Sequence, residues 1–247
     1  MNHNAGAEST IHGLLSMLAL DANPDVAKIA RTAVISERVG TTTVQAEDAQ
    51  LAGPASVITS GWTGEAEFGG GRYVGLGDGG SATIAIPDGP SRLLLPVVDL
   101  QPGSTAVTTF RAGARVLGVV RSGDIGAQGV SAAPGALLPV TLQVSLPAGA
   151  TSVTATTEAS GGDTARLDAV MIEPLVSRYV LGGGEHGTAV LRSASGSTER
   201  TIVALPGVGQ ARFYAYDGTG RLVSEGSSRS SAVPVIVRAG GFTIVRR

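Results

Sequence analysis

The chain has no cysteine. That excludes disulfides, thiolate nucleophiles, iron–sulfur clusters and cysteine-ligated zinc. Histidine is scarce: His3, His12 and His186 are too scattered in sequence to suggest a metal cluster. Lysine occurs once, at Lys28, so the positive charge is almost all arginine. With 18 Lys+Arg against 20 Asp+Glu the formal net charge is −2, and the basic stripe of a nucleic-acid binder is missing. Runs of like charge that would mark an acidic or basic tail are missing too. No long apolar run occurs. Leu93-Leu94-Leu95-Pro96-Val97-Val98 is strand length and broken by proline, whereas a membrane-spanning helix needs about 20 apolar residues. Met1 to Thr10 lacks both the basic and the apolar region of a signal peptide. Aromatic residues make up only 4% of the chain.

Glycine is abundant, 36 of 247 residues, beside 12 prolines and a 43% hydrophobic share. Many turns between short strands give this composition. Disorder does not, because Val, Ile, Leu and Ala are too frequent. The length suits one or two domains, at roughly 150 residues each.

Three segments follow from the patterning: residues 1–40, 41–174 and 175–247. In the first, Ile11, Leu14, Leu15 and Leu18 share one face of a helix. Asn23-Pro24-Asp25 reads as a second helix start, with Asn23 as N-cap and Pro24 at the first helical position. Two short helices cannot make a core alone, so this lead-in must pack on the rest of the chain or on something else. The second segment reads as all-β. Its clearest alternation is Val140-Thr141-Leu142-Gln143-Val144-Ser145-Leu146, where every second residue is apolar. Strands are also predicted at 42–47, 72–76, 82–86, 92–98, 106–111, 114–120, 152–157 and 166–172. Their spacing suggests a sandwich or jelly roll. The third segment reads as a smaller β-sandwich. Asp217-Gly218-Thr219-Gly220 is a hairpin turn between Arg212–Tyr216 and Arg221–Val223. Arg238-Ala239-Gly240-Gly241 is read the same way between Val233–Val237 and Phe242–Val245, and Gly226–Ser231 as an exposed loop. The fold class is thus mainly β: a β-sandwich jelly roll, then a smaller β-sandwich, behind a short N-terminal helical segment.

Gly75-Leu76-Gly77-Asp78-Gly79-Gly80 fits GxGxxG, with Asp99 downstream. A dinucleotide site needs a helix right after the glycines to hold the pyrophosphate. Ser81-Ala82-Thr83-Ile84-Ala85-Ile86-Pro87 is a strand pattern instead, so the glycines read as a turn. No GxSxG elbow occurs. Glu65 and Glu67 flank Ala66 and read as solvated loop carboxylates rather than a catalytic pair. No credible nucleophile–base or acid–base constellation is present.

A more informative combination spans the second segment. It opens with Val44-Gln45-Ala46-Glu47-Asp48-Ala49 and closes with Ala165-Arg166-Leu167-Asp168-Ala169-Val170-Met171-Ile172. First and last strands of a closed sandwich tend to be neighbours. Glu47 and Asp168 can then share one hard cation such as Ca²⁺, with the Gln45 amide and backbone carbonyls adding oxygens. The plainer alternative is two separate surface carboxylates.

These two motifs, with Gly69-Gly70-Gly71-Arg72-Tyr73-Val74-Gly75-Leu76-Gly77-Asp78-Gly79-Gly80-Ser81-Ala82 between them, resemble the β-jelly-roll carbohydrate-binding modules of families 6 and 35. The resemblance covers about residues 43–174. It implies a galactose-binding-like sandwich that holds sugar non-covalently and carries a structural Ca²⁺. Glu47 and Asp168 match the family's metal carboxylates, with Gln45 a weaker candidate. Tyr73 matches its aromatic, and Arg72 and Asp78 are candidate polar partners; a packed core tyrosine is the alternative. The chain departs from the pattern where members often carry a Trp-bearing stretch, here Arg121-Ser122-Gly123-Asp124-Ile125-Gly126-Ala127. Its only tryptophan, Trp62, lies in an earlier loop.

Ala5-Gly6-Ala7-Glu8-Ser9-Thr10-Ile11-His12-Gly13-Leu14-Leu15 is similar to the last helix of helical-toroid catalytic domains in bacterial carbohydrate-active enzymes. That implies an upstream catalytic domain as a partner, with Glu8 facing its active site; an ordinary packing helix with an acidic first turn is the alternative. The reading is a non-catalytic polysaccharide-binding accessory module of a glycoside hydrolase or related enzyme, extracellular or at the cell surface, with no nucleic-acid or membrane partner. Its rivals are β domains that only brace a catalytic domain, and a fragment lending Glu8 to a glycosidase or glycosyltransferase site.

Overall fold

The computed structural model of the chain describes residues 7–60, 67–126, 134–183 and 185–247. Two helices come first, Ala7–Asp21 and Pro24–Thr32. Proline opens the second, where its missing N–H leaves no helical bond unmade. Ala27 N–H donates to the Asn23 carbonyl at 3.0 Å, and the Asn23 amide donates back to Ala19 O at 2.8 Å. The apolar side of the first helix is uncovered among the described residues: Ile11, Leu14 and Leu15 are each 55% exposed and Leu18 63%. After Ala33 the lead-in, expected to be helical throughout, is a strand, Val34–Val39.

Val39–Ser177 form one compact unit; Arg178–Arg247, with the segment ending at Arg38, form the other. In the first, one sheet runs Ala136–Pro139, Arg92–Leu100, Ala165–Pro174, Arg72–Leu76, Ala55–Thr59, and Thr42–Gln45 also pairs with Ala165–Pro174. The other runs Gln50–Ala52, Ser81–Ala85, Ser152–Glu158, Val107–Ala112, Arg115–Arg121. The pairs are antiparallel, and most consecutive strands alternate between sheets, as in a jelly roll; the hairpin neighbours Ala55–Thr59 with Arg72–Leu76, and Val107–Ala112 with Arg115–Arg121, stay in one sheet. Val74, Leu76, Leu94, Leu167 and Ile172 from one sheet meet Ile84, Phe110, Leu117 and Val153 from the other, none more than 2% exposed. Each such side chain contributes about 1.5–3 kcal/mol through burial.

The alternating stretch Val140–Leu146 is not a ladder strand. Its odd hydrogen bonds explain why. Val140 and Leu142 donate to Pro96 and Leu94 of one sheet, Val144 donates to Leu117 of the other, and Leu146 returns to Arg92. Leu142 and Leu146 are buried, so the alternation reports one-sided burial of a segment shared between sheets. The GxGxxG stretch is the turn between Arg72–Leu76 and Ser81–Ala85. Gly79 sits at φ +74°, and a Cβ on Gly80 would lie 2.5 Å from Pro54 O, so the glycines serve backbone approach.

The second unit has a six-stranded sheet ordered Val34–Val39, Val176–Gly183, His186–Ser193, Phe242–Arg246, Ala211–Tyr216, Leu222–Ser228, and a two-stranded sheet of Glu199–Ala204 with Ala232–Val237. The 217–220 hairpin forms as expected. Two expectations do not hold. Residues 238–241 do not close a hairpin: Ala232–Val237 pairs with Glu199–Ala204, whereas Phe242–Arg246 pairs with His186–Ser193 and Ala211–Tyr216. The turn moves the chain between sheets, which local turn chemistry does not reveal. Gly226–Ser228, expected in a loop, continues a strand because its backbone pairs with Ala211–Phe213.

Candidate cation and ligand site

The opening strand Thr42–Gln45 and the closing strand Ala165–Pro174 are hydrogen-bonded neighbours, with Gln45 opposite Ala169. Past Gln45 the chain tightens into a 3₁₀ turn, Ala46–Asp48, whose Ala46 is fully buried. That turn carries Glu47. The closing strand has a register shift between Leu167 and Ala169, and Asp168 sits at it. A second turn, Gly69–Gly71, closes over both: the Gly69 N–H donates to Asp168 Oδ1 at 2.8 Å. Gly70 adopts φ +61°, a left-handed conformation that favours glycine.

Three oxygen-bearing side chains therefore converge on one glycine turn. The Glu47 side chain is only 3% exposed; its Oε1 lies 3.5 Å from Arg72 Nη2. Its Oε2 and the Gln45 Oε1 are buried without a hydrogen-bond partner. Burial pushes the Asp168 carboxyl above the ordinary carboxylate value; the Gly69 N–H pulls it back, and the negative charge of Glu47 adds to the rise. A Cβ on Gly69 would lie 2.7 Å from Gln45 Oε1, and one on Gly70 3.3 Å from Glu47 Oε1. Buried polar atoms normally have a partner, in protein, ordered water or an ion. The donor set is two carboxylates and an amide. Among the described residues no cluster of three or more His, Cys, Asp or Glu side chains occurs. These all-oxygen side-chain donors fit a hard cation such as Ca²⁺.

Of the residues expected to contact sugar, Arg72 and Tyr73 flank this turn. Arg72 is half exposed. Tyr73 is 8% exposed. Its ring centroid is 4.4 Å from that of Phe68, and Arg166 Cζ lies 5.9 Å from its centroid. The ring thus offers no open face in this conformation. Asp78, the other candidate polar partner, lies in the turn that follows the strand Arg72–Leu76. Its Oδ1 accepts the Ala159 N–H at 3.0 Å, bracing the turn. Trp62 and Glu65 lie outside the described residues, as does the side chain of Glu8.

A polar chain beside Tyr73 was not read from the sequence. Arg166 Nη1 donates to Asp99 Oδ2 at 3.0 Å, and Gln101 Nε2 donates to the same oxygen at 2.9 Å. Asp99 is 1% exposed, and its Oδ1 has no partner. The available signal was Asp99 within the apolar run Leu93–Leu100: a buried carboxylate needs a cation nearby.

No protein-family profile and no curated protein matches the chain. Solved structures overlap with it. An exo-β-1,3-galactanase from Phanerochaete chrysosporium, solved with galactose, is 25% identical over 54% of this chain and 29% of its own, with a TM-score of 0.37. The chain thus spans under a third of that enzyme. The C-terminal CBM6 of the laminarinase LamC from Zobellia galactanivorans is 17% identical over 54% of this chain and 98% of its own, TM-score 0.39. The CBM22 tandem of Xyn10C from Paenibacillus barcinonensis is 11% identical over 87% of this chain and 92% of its own, TM-score 0.29. Overlaps this loose carry no functional argument; the β-sandwich stands on the sheet order itself. No described helix is long and apolar enough to cross a membrane.

Proposed function

We propose that Val39–Ser177 is a non-catalytic carbohydrate-binding module of the family 6 and 35 type, held closed by one structural Ca²⁺. The observation that carries this reading is the convergence of Gln45, Glu47 and Asp168 on the Gly69–Gly71 turn, with two buried oxygens unpartnered. Those are the positions where the resemblance implies the metal. The cation would fix the turn that leads into Arg72 and Tyr73. Arg72 and Arg166, half and about a third exposed, are guanidinium groups near that turn that can read sugar hydroxyls, and Trp62 is the remaining aromatic candidate. The uncovered side of the helix Ala7–Asp21 supports a catalytic domain of a secreted glycan-active enzyme as the partner. Holding that enzyme at polysaccharide would raise its effective concentration without breaking bonds.

Affinity electrophoresis of the full chain against a panel of neutral and acidic polysaccharides tests this. Retardation that weakens in chelator and in Arg72→Ala supports it. The closed ring of Tyr73 favours a second reading, in which the unit only braces a catalytic domain. Absence of retardation by every glycan, with a chelator-sensitive melt retained, decides for bracing.

A further inference from the structure

The six-stranded sheet of the second unit has one face in a core and one open. Ala189, Leu191, Ala211, Ala215, Thr243 and Val245 form the closed face, each at most 1% exposed. Alternation turns the intervening residues outward. The register then sets Arg212 directly across from Arg246, Tyr214 from Ile244 and Tyr216 from Phe242. Tyr216 and Phe242 stack, with ring centroids 4.6 Å apart.

Two like charges directly opposite one another on a sheet face are unfavourable. Both arginines are exposed, and neither guanidinium makes a hydrogen bond or ion pair among the described residues. Glu225 stands opposite Tyr214 and borders a hollow with Arg212, but forms no ion pair with either arginine. A groove of about 430 Å³ runs between them, lined by Arg212, Arg246, Tyr214, Tyr216 and Ile244. Arg212 and Tyr214 also border an adjoining hollow of about 290 Å³. The groove therefore combines two unpaired guanidinium forks with Tyr214 and the edge of the Tyr216–Phe242 stack.

We infer that this groove binds an anionic sugar: a pyranose unit bearing a carboxylate or sulfate, within a polysaccharide. A guanidinium fork matches the two oxygens of such a group. Tyr214 would lie against the C–H side of the ring, with its hydroxyl left to bond a sugar oxygen. The anionic character follows from the arginine pair alone. The choice of a sugar over an acidic protein rests on the carbohydrate reading of the other unit.

The test is affinity electrophoresis of the full chain with polygalacturonate, chondroitin sulfate and a neutral β-1,3-galactan. Polygalacturonate or chondroitin sulfate, whichever carries the matching group, is expected to retard the chain. Arg212→Gln/Arg246→Gln should weaken that retardation at least tenfold with an unchanged melt, since both side chains are exposed. Tyr214→Ala should weaken it as well, while Arg72→Ala and chelator should leave it unchanged. Retardation by neither acidic polymer would overturn the inference. So would acidic retardation that survives Tyr214→Ala, which marks non-specific charge attraction. Retardation by the neutral galactan that Arg72→Ala removes and the arginine pair does not affect would overturn it too, while sustaining the reading of the first unit.

Discussion

The Gly69 N–H and the Asp168 carboxylate meet at 2.8 Å although 99 residues separate them in the chain. This bond joins the glycine turn to the closing strand, beside Glu47 and Gln45 of the opening strand. If a cation completes the cluster, it ties three distant segments together. Chelator should then lower the melting temperature, because a ligand that binds only the folded form adds stability by mass action. Calcium titrated back should restore it, and Glu47→Ala should make the melt insensitive to both. A melt unchanged by chelator refutes the site.

Gly69→Ala should reduce calcium affinity by roughly tenfold or more, the scale expected when a ligand's support is disturbed. The added methyl would sit 2.7 Å from Gln45 Oε1 and push that oxygen aside. Isothermal titration with calcium reads this directly. Gly79→Ala has open space at its Cβ but φ +74°, so it should cost on the order of 1 kcal/mol in stability with calcium affinity unaltered.

Asp168 gives a pH dependence of definite sign. Its folded pKa is raised above the ordinary carboxylate value, chiefly by burial. The folded state then holds the proton more tightly than the unfolded state. In chelator, its contribution to stability must fall as pH rises from about 3.8 through the raised folded value, and the full penalty remains at neutral pH. Asp163 and Asp217 run the other way. Thr105 and Thr219, respectively, hold their carboxyls low, so their contributions are lost as pH falls. Comparing the chain with Asp168→Asn in chelator isolates the first effect: the substitution should stabilise at pH 7 and lose its advantage in acid. Equal pH slopes for the two proteins would disprove it.

Removing Arg166 leaves Asp99 buried with only Gln101 as partner. Arg166→Met should cost about 2 kcal/mol by urea denaturation, less than for a fully buried pair because the arginine is partly exposed. Because Arg166 is proposed to read sugar hydroxyls, the variant should also bind neutral glycan more weakly. Tighter binding would mean that Arg166, whose Cζ lies 5.9 Å from the Tyr73 ring centroid, instead shields that ring from sugar.

Leu14→Gln/Leu18→Gln should change stability by less than about 0.5 kcal/mol, the usual range for surface substitutions, because both leucines are more than half exposed. A loss of several degrees in the melt would show that the helix is covered in solution.

The sequence made the sandwich legible where burial is one-sided and local. Arg72–Leu76 emerged with the bounds expected for it, and the neighbourhood of the opening and closing strands followed from closure. It could not show which backbone groups pair. Val140–Leu146 alternates as a strand does, yet divides its bonds between two sheets. Arg238–Gly241 has hairpin chemistry, yet its flanking strands find other partners. The positions of Gln45, Glu47 and Asp168 were readable as a pattern, whereas the Gly69–Gly71 turn that gathers them depends on a long-range contact. Arg166 was passed over because a charged residue on a strand reads as solvated until its buried partner is known.

Val34–Val39 and Val176–Gly183 are adjacent in one sheet, although the whole jelly roll lies between them in sequence. The jelly roll is therefore inserted, in chain order, between two neighbouring strands of one sheet. Replacing residues 41–174 with a short glycine-rich loop should leave a smaller protein that still assembles.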